Sequence, residues 1–306
     1  WLLWMLLLLP ALAAGASFLF RSARGALLFG AAGTLATAAV AAAAVIRTFG
    51  GASLRAAEGW LMLDPLSAFH LAVMMLVFSL SSIDGILFFR DDIREGRFEP
   101  AEARRYIALW FGALFSMVLV LVSNNLGVAW VGVEATTLMT AFLICTRASR
   151  AALEAMWKYL LMCSVGVGVA FTGLLLLAAA SHSAGLAGTE TLLWTRLVES
   201  AARLDPALVK AAFIFAVVGY GTKAGLAPMH NWLPDAHSQA PAPVSAIFSG
   251  FMLNASLYCI LRFLPVVEGA TGRTGWTHGI LIALGLLSIL VAAVFIAAQR
   301  DIKRLL

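Results

Sequence analysis

The chain has 306 residues, of which 62% are hydrophobic and only 12% charged. A soluble domain is about a quarter charged, and a compact chain of this size needs polar residues to cover its surface. Soluble globular, disordered and disulfide-rich secreted classes are excluded, which leaves a membrane protein with many spans.

A spanning helix needs about 20 mostly apolar residues. Uncharged runs of that size predict nine helices, at 1–20, 25–46, 61–88, 106–123, 126–146, 156–181, 208–228, 243–264 and 276–298. Run length decides for helices, because barrel strands would alternate over about ten residues. The first run contains Ala11-Leu-Ala-Ala-Gly15, which imitates a signal peptide, but it lacks a basic leading region and more spans follow. Asp64 precedes Pro65 at the mouth of the third helix and is expected to cap it. The stretch from Arg90 to Arg105 carries both signs of charge densely and reads as a solvated loop, and Asn124-Asn125 marks a tight turn. The chain starts at Trp1 rather than Met and stops at Leu306 just past an apolar run, so it reads as a piece of a longer polypeptide.

Nine spans put the connecting segments alternately on two sides. Seven basic residues fall on one side: Arg47, Arg55, Arg196, Arg203, Lys210, Arg262 and Arg273. The other thirteen, among them Arg90–Arg105, Lys158 and Arg300–Arg304, fall opposite. The positive-inside rule makes the richer side cytoplasmic and the N-terminus external, as in a multi-pass inner-membrane protein. The net charge of +5 therefore reads as topology. No basic patch interleaved with aromatics accompanies it, so no nucleic-acid partner is expected.

Basic residues near span ends, such as Lys158, Lys210 and Arg262, are counted with the connecting segments, so Lys223 is the one basic residue read as lying deep inside a span, and Glu134 is its acidic counterpart. Glu134 lies nine residues past Asn125, about 13 Å along a helix, near the middle of a hydrocarbon core of about 30 Å. Lys223 lies thirteen residues past Lys210, about 19 Å along its helix. A charge at such depth costs at least about 2.5–3.5 kcal/mol. Two readings stand: a structural salt bridge or partner contact, and a proton site. Desolvation favours a neutral amine and a nearby carboxylate favours the ammonium, so a lysine between them can load or release a proton. Arginine stays protonated and cannot.

Gly219, Gly221, Gly225 and Pro228 surround Lys223 and predict an interrupted helix of the kind that lines a cavity in transporters. The plainer alternative is small-residue packing through Gly221 and Gly225. Next comes Met229-His-Asn-Trp-Leu-Pro-Asp-Ala-His237, polar and short. His230 and His237 suit a proton relay, since histidine titrates near neutral pH. Capping and fastening of the loop by His230 and Asp235 is the competing account. The spacing of the two histidines and Asp235 could suggest a metal site, but no third strong ligand arrangement accompanies it. Lys158 reads first as a snorkelling lysine and second as a relay member. Cys145, Cys163 and Cys259 sit in apolar runs as core residues. No nucleotide loop, nucleophile triad, haem or cluster ligand set is present, so neither a catalytic residue nor a cofactor is expected on this chain.

Three segments carry a resemblance: Trp130-Val-Gly-Val-Glu-Ala-Thr-Thr-Leu138, Gly221-Thr-Lys-Ala-Gly-Leu-Ala-Pro-Met-His-Asn-Trp-Leu-Pro-Asp-Ala-His237, and Arg300-Asp-Ile-Lys-Arg-Leu-Leu306. In these the chain resembles the proton-translocating, antiporter-like membrane subunits of respiratory complex I, membrane-bound hydrogenases and multisubunit sodium/proton antiporters. The Glu-Ala-Thr-Thr-Leu form and the run from His237 to Ser245 look most like the hydrogenase-4 component F branch. The resemblance implies an all-α polytopic fold of about fourteen helices with two inverted five-helix repeats and a broken seventh helix. Residues 1–105 would then hold the N-terminal helices and charged loop, 106–265 the first repeat, and 266–306 the start of the second. It further implies that Glu134 pairs with Lys223, and that His230 and His237 belong to the polar loop beside the break. One departure stands out. Several relatives place a lysine in the eighth helix where this chain has Asn254, which cannot titrate, so a water chain or His237 would have to bridge there.

The function expected is proton translocation in a hydrogenase-like or NADH:quinone oxidoreductase-like complex. Its partners would be other membrane subunits and, indirectly, a peripheral redox arm. A cation/proton antiporter subunit without redox partners is the alternative, and a purely structural membrane anchor is a third reading.

Overall fold

A computed structural model of the chain describes residues 1–272 and 275–299. Arg273 and the segment Arg300–Leu306, both used in the sequence reading, lie outside the described residues. Among those described, nine helices are long and apolar enough to cross a membrane. The chain is an all-α, multi-pass membrane protein.

In chain order, α1 spans Leu2–Ala16 and α2 Ala23–Phe49. A small hairpin follows, with β1 (Leu54–Ala56) antiparallel to β2 (Leu61–Leu63). Then come α3 (Pro65–Phe88), the short α4 (Arg90–Arg94), α5 (Pro100–Val122), α6 (Leu126–Ile144) and the long α7 (Arg150–Ser183). After the amphipathic turn α8 (Trp194–Glu199) comes α9 (Pro206–Ala224), then α10 (Leu233–Gln239). The next span begins as α11 (Ala242–Ile247), passes through a π-helical turn at Phe248–Met252 and continues as α12 (Leu253–Thr271). The last helix, α13 (Gly275–Ala298), is exposed along most of its length.

Local chemistry sets the helix starts. Ser22, Asp64, Asn125, Ser149 and Asp205 each turn a side-chain oxygen onto backbone N–H groups of the first turn that lack a helical partner. The Asp64 cap and the Asn124-Asn125 turn form as expected. Close packing is set by glycine, though not the pair anticipated. A Cβ on Gly219 would sit 2.3 Å from the Ala170 nitrogen, and one on Gly166 would sit 2.7 Å from Thr222 Cβ. Glycine thus lets α7 and α9 touch backbone to backbone. Gly225 has a different task. It caps α9 in the left-handed region at φ 77°, where a side chain is strained. The predicted interruption of the seventh spanning helix is real, and it falls there.

Three sequence expectations are corrected. Residues 61–63 are the second strand of the hairpin, because Leu54–Ala56 satisfies their backbone groups. The loop between Arg90 and Arg105 is not wholly solvated: Asp92 is buried and held by Arg97 and Arg147. Arg262 is not in a connecting segment. It lies within α12, 4% exposed, so Lys223 is not the only buried cation of the spans.

Candidate functional site

The site forms where α6, α7 and α9 meet. Lys223, next to last in α9, is 1% exposed and reaches across to α6. Its ammonium donates to the Val133 carbonyl at 2.6 Å and to the hydroxyl oxygens of Thr136 and Thr137 at 2.5 Å each. An ammonium has three protons, and all three are used. The hydroxyls orient themselves for this role. Thr136 donates back to the Val133 carbonyl at 2.7 Å, and Thr137 to the same oxygen at 3.4 Å, which leaves their lone pairs for the lysine.

Glu134 stands beside this cradle, one residue along α6, yet it does not hold the lysine. No ion pair joins the two within 4 Å among the described residues, though the carboxylate still faces Lys223 across the cradle. One carboxylate oxygen accepts a 2.6 Å hydrogen bond from Ser164 of α7, and Oε2 is buried with no hydrogen-bond partner. The reason is visible in the donor count: neutral oxygens have already taken every proton of Lys223.

From the cradle a second line of hydroxyls leads on. Thr140 donates to the Thr136 carbonyl at 2.6 Å and meets the Tyr159 hydroxyl at 2.7 Å, which in turn touches the Met252 sulfur at 3.4 Å in the π-helical turn. Tyr159 packs against Trp232 and Phe248, with ring centroids 5.0 and 5.8 Å away. The Trp232 indole donates to the Thr222 carbonyl at 2.9 Å. That bond satisfies a carbonyl freed at the end of α9 and ties the loop after the break to the lysine's own helix.

On the far side of the break is an open cavity of ≈ 710 Å³. Gly225, Pro228, His230, Asp235 and His237 all line it, so the structure brings most of the sequence-predicted site residues to one place. The Nδ1 atom of His230 is buried there without a hydrogen-bond partner, and its ring meets Phe295 edge-on. His237 exchanges hydrogen bonds with Ser245 at 2.9 and 3.1 Å and lies edge-on to Phe248, 5.9 Å between centroids. Phe248 therefore packs against both His237 and Tyr159. Lys158 does more than snorkel, bridging Asp235 at 3.0 Å and Glu154 at 2.7 Å. Asn254 is set apart: its amide bonds back to the Gly250 carbonyl at 3.1 Å, on its own helix. Cys163 and Cys259 are buried and Cys145 half-buried, all three free.

Sequence reasoning passed over the cradle itself. The signal was available as two adjacent threonines, Thr136 and Thr137, following an intramembrane glutamate in an apolar run. Ser164 had no signal beyond being a hydroxyl in a span. Also missed was the Arg262 cluster. Arg262 grips Asp64 through two nitrogens at 2.7 and 2.6 Å, and bonds Tyr258 at 2.8 Å and Ser67 at 2.6 Å. It lies over the Trp194 ring at 4.4 Å.

Residues 123–306, which include Glu134, the threonine pair, Lys223 and the polar loop, match the family described as NADH:quinone oxidoreductase/Mrp antiporter, transmembrane. The chain belongs to this family. Among curated relatives it is 41% identical over 214 residues to a hydrogenase-4 component F homolog of Methylacidiphilum infernorum, covering 70% of this chain and 45% of the relative. It is 32% identical over 246 residues to hydrogenase-4 component B of Escherichia coli, covering 80% of this chain and 34% of that one. The chain thus spans less than half the length of either. A membrane subunit of an archaeal respiratory membrane complex, the membrane-bound sulfane sulfur reductase, aligns over 99% of this chain and 61% of its own. Its TM-score of 0.83 at 22% identity shows a shared fold. The antiporter-family match rests on the same stretch that builds the cradle and the cavity.

Proposed function

We propose that this chain translocates protons as a membrane subunit of a hydrogenase-like or NADH:quinone oxidoreductase-like complex, with Lys223 as the proton-carrying group. One observation carries the reading: a buried lysine is held only by neutral oxygens, while the neighbouring buried carboxylate keeps one oxygen unpartnered. Such a pair is poised. If Glu134 leaves Ser164 and turns to the lysine, the ammonium is favoured; if it turns away, desolvation favours proton release. Electron transfer in partner subunits would supply the energy for that turn. The released proton would travel by the Thr140–Tyr159 hydroxyls and water toward His237 and His230 at the cavity, with Lys158 and Asp235 at its edge. Asn254 does not titrate and takes no proton on this route. The family names of the relatives and the positive-inside bias support an inner-membrane location with the N-terminus outside, and a first repeat over 106–265.

The test is Lys223→Ala in the intact complex, with proton pumping in sealed vesicles measured beside substrate turnover. Pumping per electron should fall at least about tenfold, as expected for loss of an intramembrane proton site; an unchanged ratio would remove Lys223 from the mechanism. Glu134→Gln should slow the same coupling without abolishing assembly.

A second reading, a cation/proton antiporter subunit, is favoured by the oxygen cradle itself.

A further inference from the structure

One end of the bundle carries an open cavity that the proton route does not use. It measures ≈ 440 Å³ and lies where the turn after α1, the first turns of α5 and the end of α6 converge. Phe18, Leu109 and Phe142 are its apolar walls, and Glu102, Arg105 and Thr146 are its polar lining. A groove runs on from it along α5. Arg105, Ala108, Gly112, Phe115 and Leu119 follow one another at helical spacing, and none of the five is fully buried. On α6 beside them, Leu138 and Phe142 are exposed. From Arg105 to Phe115 is ten residues, about 15 Å of helix, or half of a hydrocarbon core of about 30 Å. The groove therefore has the length of one leaflet.

An apolar groove at that depth needs no special ligand, but the charge at its mouth does. Arg105 makes no ion pair or side-chain hydrogen bond among the described residues. The same holds for Arg21, three residues past Phe18, and for Arg150, two residues past Ala148 of the lining. Their neighbours are already committed. Arg104 donates to the Phe20 carbonyl at 3.1 Å, and Arg147 is paired with Asp92. Glu102 is turned to the start of its own helix, where it accepts from the Glu99 N–H at 3.0 Å. The Thr146 hydroxyl donates to the Leu143 carbonyl at 2.7 Å, so it presents lone pairs to a ligand.

We propose that this groove binds one anionic phospholipid, with its phosphate on Arg105, Arg21 and Arg150 close by, and one acyl chain lying along α5 beside α6. A guanidinium fork matches two oxygens of a phosphate. Basic pockets between spanning helices select anionic headgroups in this way. A zwitterionic lipid would bring its own ammonium against the arginines, whereas a phosphatidylglycerol headgroup brings hydroxyls that can donate to Thr146. The layout also favours a lipid over a neighbouring helix. A lipid carries its negative charge at the membrane surface and its apolar part below, in the order in which Arg105 and the α5 stripe present their partners. A helix would have to supply both a carboxylate at that level and an apolar ridge beneath it.

The experiment uses the complete complex with its full-length subunit, in phosphatidylcholine vesicles that hold a trace of phosphatidylglycerol with a photoreactive diazirine on one acyl chain. After irradiation, labelled peptides are located by mass spectrometry. Label should fall on residues 105–119 and 138–146, and unlabelled phosphatidylglycerol should displace it at least about tenfold better than added phosphatidylcholine, the scale of one to two basic residues near a membrane surface. Arg105→Gln should weaken the labelling about fivefold, the share of one such residue, and Arg105→Lys should keep most of it because the charge stays. Arg105 is exposed, so neither change disturbs the packing. Absence of label from those segments overturns the site. Equal displacement by the two lipids, or labelling of Arg105→Gln at the wild-type level, overturns it too. A benzophenone side chain placed at Phe142 should cross-link to lipid; a cross-link to a neighbouring subunit instead would put protein in the groove and end the proposal. Proton pumping is no part of the readout, so the result is independent of the role of Lys223.

Discussion

Two buried cations, Lys223 and Arg262, sit in neighbouring helices of the same fold and are held in opposite ways. Arg262 is locked. It makes a two-pronged ion pair with Asp64, further bonds to Tyr258 and Ser67, and lies against an indole face. Its carboxylate partner also caps α3, so the cluster fastens the start of α3 to α12. Lys223 has three hydrogen bonds and no counter-ion, and the carboxylate beside it is engaged by a single serine. Geometry and chemistry agree. Arginine cannot give up its proton and presents a planar fork that suits one fixed carboxylate, whereas lysine is a point charge on a flexible stem that can lose its proton and swing away. One cation is fixed by an ion pair; the other is held by neutral oxygens alone.

The largest effect should come from breaking the locked pair. Arg262→Met leaves Asp64 partly buried without its countercharge and should destabilise the protein by about 3–5 kcal/mol, read as thermal unfolding of the purified protein in detergent. Restoring most of that loss with a second change, Asp64→Leu, would identify the cost as an uncompensated charge rather than lost packing. Next in size is Ser164→Ala. It removes the one hydrogen bond of Glu134 and should cost about 1.5–3 kcal/mol, the range for a bond to a charged group, with a changed pumping rate that Ser164→Thr restores. Lys223→Met should cost less than Arg262→Met, because it breaks no ion pair within 4 Å and leaves the Thr136 and Thr137 hydroxyls bonded to the Val133 carbonyl. A loss as large as that of Arg262→Met would erase the contrast between the two cations.

The smallest effect is set by pH. Burial alone would raise the Asp64 carboxyl, but hydrogen bonds and charge from Arg262, with the Ser67 N–H, outweigh it and hold its pKa below the usual carboxylate value. A lowered folded pKa means stability that is present above the unfolded value of about 3.9 and lost as pH falls through the folded one. The gap in melting temperature between wild type and Asp64→Asn should therefore be flat near neutrality and narrow below about pH 4. A gap that narrows already between pH 7 and 5 would show that Asp64 is not the group responsible.

The spans, the break at Gly225 and the placing of Glu134 and Lys223 within spanning helices were legible in the sequence, because apolar run length and an isolated charge in such a run are local signals. Arg262 was not legible. In sequence it sits near the end of an apolar run and looks like a flanking basic residue; only the fold brings Asp64, 198 positions away, into contact with it. The cradle failed to show for a related reason. The resemblance to the antiporter-like family directed attention to the glutamate as partner of Lys223. That the lysine meets the Val133 carbonyl and the two threonines rather than the carboxylate is a matter of tertiary packing, which no motif records. His230 and His237 were rightly placed beside the break, but the packing of Phe248 against both His237 and Tyr159 is a tertiary fact.

The helix α7 runs unbroken for 34 residues. At 1.5 Å per residue that is about 51 Å, well beyond a hydrocarbon core of about 30 Å. The same rod carries Lys158, bound to Asp235 of the loop after the break, and Ser164, bound to the carboxylate of Glu134. Six residues, about 9 Å of helix, separate the two grips. One unbroken helix therefore touches both the loop after the break and the buried carboxylate, and it is the shortest covalent rod between them.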